Sequence, residues 1–136
     1  GQHIALRAET KENAIIRNYT PATTYSDMQA GRIDLIVRLV PNGVMSTILQ
    51  NVEHAPSVKF SISLCHDGFG YTANKVSALI LVGSGTGITP LINIARAVLT
   101  NPNDQTRVKL VFKVRDEKDV FIEDEIRGLE RVARES

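Results

Sequence analysis

Residues 78–90 read ALILVGSGTGITP, an apolar run followed by a glycine at every second position and then by Thr-Pro. The apolar run predicts a buried strand, and the apolar spacing beyond Pro90 predicts a helix. Glycine permits a positive φ and lets a diphosphate approach the backbone, while a helix start offers unpaired N–H groups. The segment is therefore predicted to form a strand, a phosphate-binding turn and a helix, with Thr89 as the N-cap and Pro90 as the first helical residue.

The spacing of these glycines leaves two interpretations of the turn open. Glycines at 83, 85 and 87 do not match the dinucleotide fingerprint, which has glycines at its first, third and sixth positions, and no lysine follows as in an ATP-type phosphate loop. A glycine-rich turn between a strand and a helix also occurs without any ligand. The turn alone does not decide between these interpretations.

Outward from this segment, the two parts of the chain differ in their periodicity. The second part alternates strand and helix, which is typical of a parallel sheet; its predicted elements are strand 78–83, helix 89–100, strand 107–114 and helix 122–134. The first part consists of short strand-like segments separated by turn signals, a spacing that predicts an antiparallel barrel or sandwich; its predicted elements are strands 3–8, 14–19, 34–40 and 58–62, and a short helix carrying Met45, Ile48, Leu49 and Val52. We therefore predict two domains, 1–75 and 76–136.

Composition excludes several classes of protein. Of the 136 residues, 43% are hydrophobic and 23% are charged, and the net charge of +1 argues against nucleic-acid binding. Cys65 is the only cysteine, so no intramolecular disulfide or cysteine metal cluster forms, and we predict no metal site. A single cysteine also favours a reducing compartment, so we predict a location in or facing the cytosol. No apolar run approaches the roughly 18 residues of a membrane span, so we predict no membrane segment in this part of the protein.

A second motif lies in the first part of the chain, where residues 17–21 read RNYTP at the end of a predicted strand. Together with the Gly43-Val44-Met45-Ser46 run that opens the short helix, and with the glycine turn ending in Ile-Thr-Pro, it resembles the ferredoxin-NADP reductase superfamily. The likeness is closest to the flavin domains of NADH-cytochrome b5 reductase and nitrate reductase, and it extends along essentially the whole chain. It implies an incomplete antiparallel FAD-binding barrel followed by an incomplete Rossmann-like parallel sheet with helices.

The resemblance implies FAD contacts that suit the chemistry of the residues. The Arg17 guanidinium would hold the diphosphate, Tyr19 would lie against the flavin and its ribityl chain, and the Thr20 hydroxyl would reach the flavin N5 edge as the catalytic residue. The helix start would offer backbone N–H groups and one hydroxyl to the diphosphate; its residues are Val44, Met45 and Ser46. Further contacts, mostly through the main chain, would come from Asn18, Ile36 and Arg38.

The same resemblance implies a nucleotide site and a reaction. Thr89 would lie near the flavin ring, and Gly85, Thr86 and Gly87 would border NADH or NADPH. Hydride would pass from this nucleotide to FAD, and single electrons would then leave to a heme or iron–sulfur acceptor protein or domain, with the flavin carrying the chemistry. Arg17 and the glycine turn would then face one shared crevice.

Other interpretations remain. Compared with the family, the chain looks truncated at both ends, so a non-catalytic docking or assembly domain of an electron-transfer complex is an alternative to a reductase. A nucleotide-binding α/β domain without flavin is a third. A thiol site at Cys65-His66-Asp67 is disfavoured, because successive side chains of an extended strand point to opposite faces.

Overall fold

A computed structural model describes residues 3–11, 13–54, 57–65, 68–116 and 120–135. These residues divide into two compact units, 2–68 and 69–136. The elements in chain order are β1 (His3–Glu9), β2 (Ala14–Tyr19), α1 (Tyr25–Gln29), α2 (Val44–Gln50), β3 (Lys59–Cys65), β4 (Ala78–Ser84), α3 (Ile88–Leu99), β5 (Arg107–Lys113) and α4 (Glu123–Glu135). None of the helices in the described part has the length and apolar composition of a membrane span.

The first unit contains an antiparallel sheet with the strand order β2-β1-β3. One face of β1 carries Ile4, Leu6 and Ala8, which are all buried. Helix α2 packs on this face, since Met45 joins Leu6 and Ala8 in one apolar cluster. The alternating pattern of β1 therefore places the core of this unit between the sheet and α2.

The predicted strand over residues 34–40 does not form. Only Leu35 pairs, through a single bridge to Pro21, and the Ala22 N–H donates to the Asp34 carbonyl at 2.8 Å. Proline has no N–H to continue a ladder, so Pro21 limits the pairing to this one point. Residues 36–40 consequently run without regular strand pairing.

Helix α1 was not predicted from apolar periodicity, but a local signal for it exists. The Asp27 N–H donates to Thr24 Oγ1 at 3.2 Å, the Thr24 N–H donates to Asp27 Oδ2 at 3.3 Å, and the Thr24 hydroxyl also lies 2.6 Å from Asp27 Oδ2. This is the reciprocal arrangement of a capping box, with aspartate in the position more often taken by glutamate. A Thr-x-x-Asp pattern was therefore available in the sequence.

The second unit pairs β4 and β5 in parallel, with α3 packed on one face of this sheet and α4 packed on α3. The prediction of a parallel sheet with helices is confirmed. Its strand and helix bounds agree with the predicted ones to within one residue. The core consists of buried apolar residues from β4, α3, α4 and the residue just before α4: Leu81, Ile88, Ile92, Ile94, Ala95, Val98, Ile122 and Leu129.

A polar network fastens the segment before β4 to the segment before β5. The Tyr71 hydroxyl donates to Asp104 Oδ2 at 2.7 Å and lies 2.8 Å from Oγ1 of the buried Thr106. Asp104 Oδ1 accepts the backbone N–H groups of Asn74 and Thr106 at 3.2 and 3.1 Å. Because parallel strands have no hairpin to align them, this network helps to fix where the two strands begin.

The network predicts a loss of stability in acid. Desolvation raises the pKa of Asp104, but hydrogen bonds from Tyr71, Thr106 and Asn74 outweigh it, so the pKa lies below its ordinary value of 3.8. A carboxylate with a lowered folded-state pKa contributes stability above its ordinary pKa and loses it as the pH falls through the folded-state value. We expect Asp104→Asn to be less stable than the native chain at pH 7 and to lose less stability between pH 5 and pH 2, as measured by urea unfolding.

A second variant separates the network from the charge alone. Tyr71→Phe keeps the Asp104 carboxylate but removes the hydroxyl that donates to it. Loss of that hydrogen bond moves the folded-state pKa of Asp104 up toward its ordinary value, so the acid-induced loss of stability is expected to be smaller and to be complete at a higher pH than in the native chain. Identical pH profiles for the native chain and both variants would contradict a role for this network in stability.

Candidate functional site

Arg17 and Tyr19 lie on the same face of β2. The register pairs Arg17 with Leu6 and Tyr19 with Ile4, and both partners belong to the buried face of β1. Since paired residues of antiparallel strands point to the same side, Arg17 projects on the face where α2 packs. The Arg17 side chain is nevertheless exposed, and its Nη1 donates to the Ile16 carbonyl of its own strand at 2.8 Å.

Tyr19 has a partly structural role at this position. Its ring packs against the apolar cluster of Leu6, Ala8 and Met45. Burial raises the pKa of the Tyr19 hydroxyl above its ordinary value, while the nearby positive charge of Arg17 acts in the opposite direction. The hydroxyl therefore stays protonated at neutral pH, next to a permanent cation.

The other predicted residues of this segment differ in position. Asn18 pairs with Ala5, so its side chain points to the opposite face from Arg17 and only its main chain is available to a ligand on the α2 side. Thr20 is half-buried between the end of β2 and the Pro21–Leu35 bridge. Ile36 is half-buried and Arg38 is exposed, both in the segment that lacks strand pairing.

The start of α2 provides donors for an anion. Gly43 is the N-cap residue and makes no side-chain cap, and the first helical N–H to reach a carbonyl is that of Thr47, which donates to Gly43 at 2.8 Å. The first-turn N–H groups of Val44, Met45 and Ser46 precede that bond, so the helix itself gives them no partner. The side chain of Met45 is 4% exposed and belongs to the core, which leaves only its backbone for a ligand.

Ser46 connects this helix start to the chain before it, a link that sequence reasoning missed. Ser46 Oγ accepts the Val40 N–H at 2.9 Å and keeps its own proton free to donate elsewhere. A Cβ built on Gly43 would lie 3.0 Å from the Val40 carbonyl oxygen and 3.1 Å from Ser46 Oγ, so glycine permits the close approach. The Asn-Gly pair before the helix was the available sequence signal.

The glycine turn at residues 85–87 is a short 3-10 turn that leads directly into α3. Thr89 was predicted as the N-cap, but the helix begins at Ile88 with Gly87 as its N-cap. The prediction failed because the 3-10 turn starts the helical path earlier, and the Thr89 hydroxyl instead donates to the Thr86 carbonyl at 3.0 Å. Pro90 is then the third helical residue, where its missing N–H still costs no bond.

The three glycines of this turn serve different purposes. A Cβ on Gly83 would lie 2.6 Å from Leu91 Cδ1, so this glycine lets α3 pack closely on β4. Gly85 has a φ of 52°, a backbone conformation that favours glycine. Gly87 has a φ of −64° and nothing within 4 Å of a built Cβ, so the fold does not require glycine there.

Both predicted cofactor sites fit a diphosphate. In the first unit, uncapped backbone N–H groups and the Ser46 hydroxyl lie on the helix that packs against the Arg17 face of the sheet. In the second unit, neither Ser84 nor Gly87 provides a side-chain cap, and Gly87 leaves room where a bulky ligand would approach the backbone. The residue roles themselves stay predictions.

The disfavoured thiol site receives no support as a convergent triad. Cys65 is the last residue of β3, is half-buried and pairs with His3. His66 and Asp67 lie outside the described residues.

Family models match both parts of the chain in the predicted order. An oxidoreductase FAD-binding domain matches residues 1–66, and an oxidoreductase NAD-binding domain matches residues 81–136. The chain is 38% identical to NADH-cytochrome b5 reductase 2 of Chaetomium globosum over 136 residues, covering 96% of this chain and 38% of that protein. It spans between 38% and 45% of the length of that relative and of NADH-cytochrome b5 reductase 1 of Debaryomyces hansenii.

Solved structures share the same fold. The cytochrome b5 reductase domain of Ulva prolifera nitrate reductase superposes with a TM-score of 0.76 at 24% identity, covering 98% of this chain and 56% of that one. A ferredoxin NADP+ reductase from Neisseria gonorrhoeae, solved with bound FAD and NADP, gives a TM-score of 0.64 at 20% identity, covering 93% and 50%. The chain thus carries an oxidoreductase FAD-binding domain followed by an oxidoreductase NAD-binding domain, and it is similar in sequence to NADH-cytochrome b5 reductases and in fold to a ferredoxin NADP+ reductase.

Proposed function

We propose that this chain is the cofactor-binding part of an NAD(P)H-dependent FAD reductase of the cytochrome b5 reductase type. Residues 1–75 would hold FAD, and residues 76–136 would hold NADH or NADPH. The flavin accepts hydride and releases electrons singly, and a heme or iron–sulfur protein would receive them. We further propose that the chain works in or facing the cytosol.

The FAD role of the first unit rests on a paired set of donors. Arg17 is a planar, permanently charged donor, and α2 adds uncapped N–H groups with the Ser46 hydroxyl on the same side of the sheet. Within the described residues, the Arg17 side chain is exposed and bonds to a carbonyl of its own strand, and the start of α2 has no side-chain cap, so both sets stay available to a ligand. Tyr19 and Thr20 would orient the ring, with Tyr19 held in place by its contact with the core.

The observation that carries the proposal is that FAD-binding and NAD-binding matches fall, in this order, on two units that each present an uncapped helix start. In the second unit, the turn at residues 85–87 would hold the nucleotide diphosphate and Thr89 would lie near its reactive ring. The curated relatives are named NADH-cytochrome b5 reductases. As part of the proposal, we infer that this chain also uses NADH as a hydride donor and a cytochrome b5-type heme protein as an electron acceptor.

Reconstitution tests the function directly. The purified chain is incubated with FAD, freed of unbound flavin, and its flavin absorption band recorded before and after anaerobic addition of NADH or NADPH. We expect the band to be retained and then bleached by at least one nucleotide. A chain that stays colourless would favour the docking or assembly domain, and a retained band that neither nucleotide bleaches would contradict the reductase.

A further inference from the structure

A cation lies beside the glycine turn at the end of β5. Lys113 is the last residue of that strand, and its register partner is Ser84, the residue immediately before Gly85. Adjacent parallel strands run about 4.8 Å apart, so their carboxyl ends meet at one edge of the sheet. The Lys113 stem therefore starts next to the turn that is proposed to bind the diphosphate.

Among the residues that the structure describes, none uses this cation to hold the fold together. The Lys113 side chain is exposed and belongs to the sheet face that carries Val82, which is 66% exposed, so it lies on the face away from α3. Within the described residues, no carboxylate lies within ion-pair distance of Lys113. An unpaired ammonium on a flexible stem is a mobile point charge that can follow a phosphate at the sheet edge.

We propose that Lys113 is a positioning residue for the dinucleotide, and that it attracts the diphosphate of NADH or NADPH to the glycine turn. This inference rests on the proposed function of the second unit. The turn supplies neutral N–H donors and the partial positive charge of a helix start, and Lys113 adds a full charge beside them. Its contribution is to binding, so it changes nucleotide affinity without changing the rate of hydride transfer.

The chain offers a matched control for this charge. Lys109 is on the same strand and the same face, but it pairs with Ile80, four residues before Ser84 and towards the opposite edge of the sheet. Both lysines are exposed, so Lys113→Met and Lys109→Met remove the same charge at similar structural cost. Lys113→Arg keeps the charge and tests whether charge alone suffices.

Titration calorimetry of the full chain measures binding of NADH, ADP-ribose and adenosine. We expect Lys113→Met to weaken NADH and ADP-ribose binding about 3- to 10-fold at low salt, with the difference shrinking as salt screens the charge. Adenosine, which has no phosphate, should bind equally to all variants, and Lys109→Met and Lys113→Arg should behave like the native chain. In the FAD-loaded chain, the KM for NADH should rise in Lys113→Met while kcat stays unchanged.

The outcomes separate this inference from the proposed function. If the native chain binds NADH and Lys113→Met binds it equally well, the role of Lys113 is wrong and the proposed function stands. If Lys109→Met weakens binding as much as Lys113→Met, a local role for Lys113 is also wrong. A native chain that binds neither NADH nor ADP-ribose would overturn both.

Discussion

Replacement of Arg17 by alanine is expected to weaken FAD binding about 100-fold. In the proposed site, the guanidinium is the only full positive charge on β2, and loss of one partner of a hydrogen-bonded charge pair at an interface typically costs about 2–5 kcal/mol. The unfolding free energy should change by less than about 0.5 kcal/mol, because the side chain is exposed and its one hydrogen bond to the described part of the chain is to the Ile16 carbonyl. Flavin fluorescence titration measures the affinity, and urea unfolding measures the stability.

Arg7→Ala is the matched control for this prediction. Arg7 is on the adjacent strand β1 and is also exposed, but its register places it on the face opposite Arg17, where it pairs with Glu9 at 2.5 Å. A surface ion pair of this kind contributes about 0–1 kcal/mol to stability, so the unfolding free energy should change little. Because Arg7 lies on the face opposite the proposed flavin site, the FAD affinity should stay at the native value. Equal FAD affinity in Arg17→Ala and Arg7→Ala would remove Arg17 from the flavin site.

The fold of the second unit could be predicted in most of its detail from local patterns. A buried strand, a glycine turn and an amphipathic helix each have a distinct period, and the turns between them are marked by glycine, proline and asparagine. The Tyr71–Asp104 contact had no such signal, because the partners are 33 residues apart and ordinary in type. Long-range polar pairs of this sort depend on tertiary placement, which a single sequence does not specify.

The first unit was predicted less well, for a physical reason. Residues 34–40 are rich in apolar and β-branched residues, as strands are, but strand formation needs a partner, and the neighbour that the chain provides ends at Pro21. Helix α1 has too few apolar residues to produce a period, and only its Thr24–Asp27 cap indicates it. Apolar periodicity therefore does not predict which strands pair with each other or where a short capped helix forms.

For the candidate sites, the residue types indicated the chemistry, but the sequence did not indicate the exact backbone geometry. The register of β2 places the Arg17 and Tyr19 side chains on one face and the Asn18 side chain on the other. The N-cap prediction at Thr89 was wrong by two positions, since Gly87 serves instead. A glycine can occupy this position without a side-chain cap, and the sequence alone did not show that the preceding 3-10 turn would begin the helix early.

Replacement of Gly87 by alanine is expected to weaken NADH binding about 10- to 100-fold with little effect on folding. A built Cβ at Gly87 meets nothing within 4 Å, and the φ of −64° suits any residue, so the unfolding free energy should change by less than about 1 kcal/mol. In the proposed site, the same methyl group would occupy the space through which the diphosphate approaches the backbone. Overpacking of this kind typically costs about 1–3 kcal/mol, and about 1.4 kcal/mol corresponds to a factor of ten in affinity.

Gly128→Ala tests whether any glycine of this unit would give the same result. Gly128 is inside α4, where the nearest neighbour of a built Cβ is Arg131 Nη2 at 3.9 Å. Alanine in a helix interior should raise the unfolding free energy by about 0.5–1 kcal/mol and leave NADH binding unchanged. Calorimetric titration and urea unfolding of both variants give the two quantities. Native NADH affinity in Gly87→Ala would mean that the nucleotide does not approach this turn, because no contact within the fold compensates for the added methyl group.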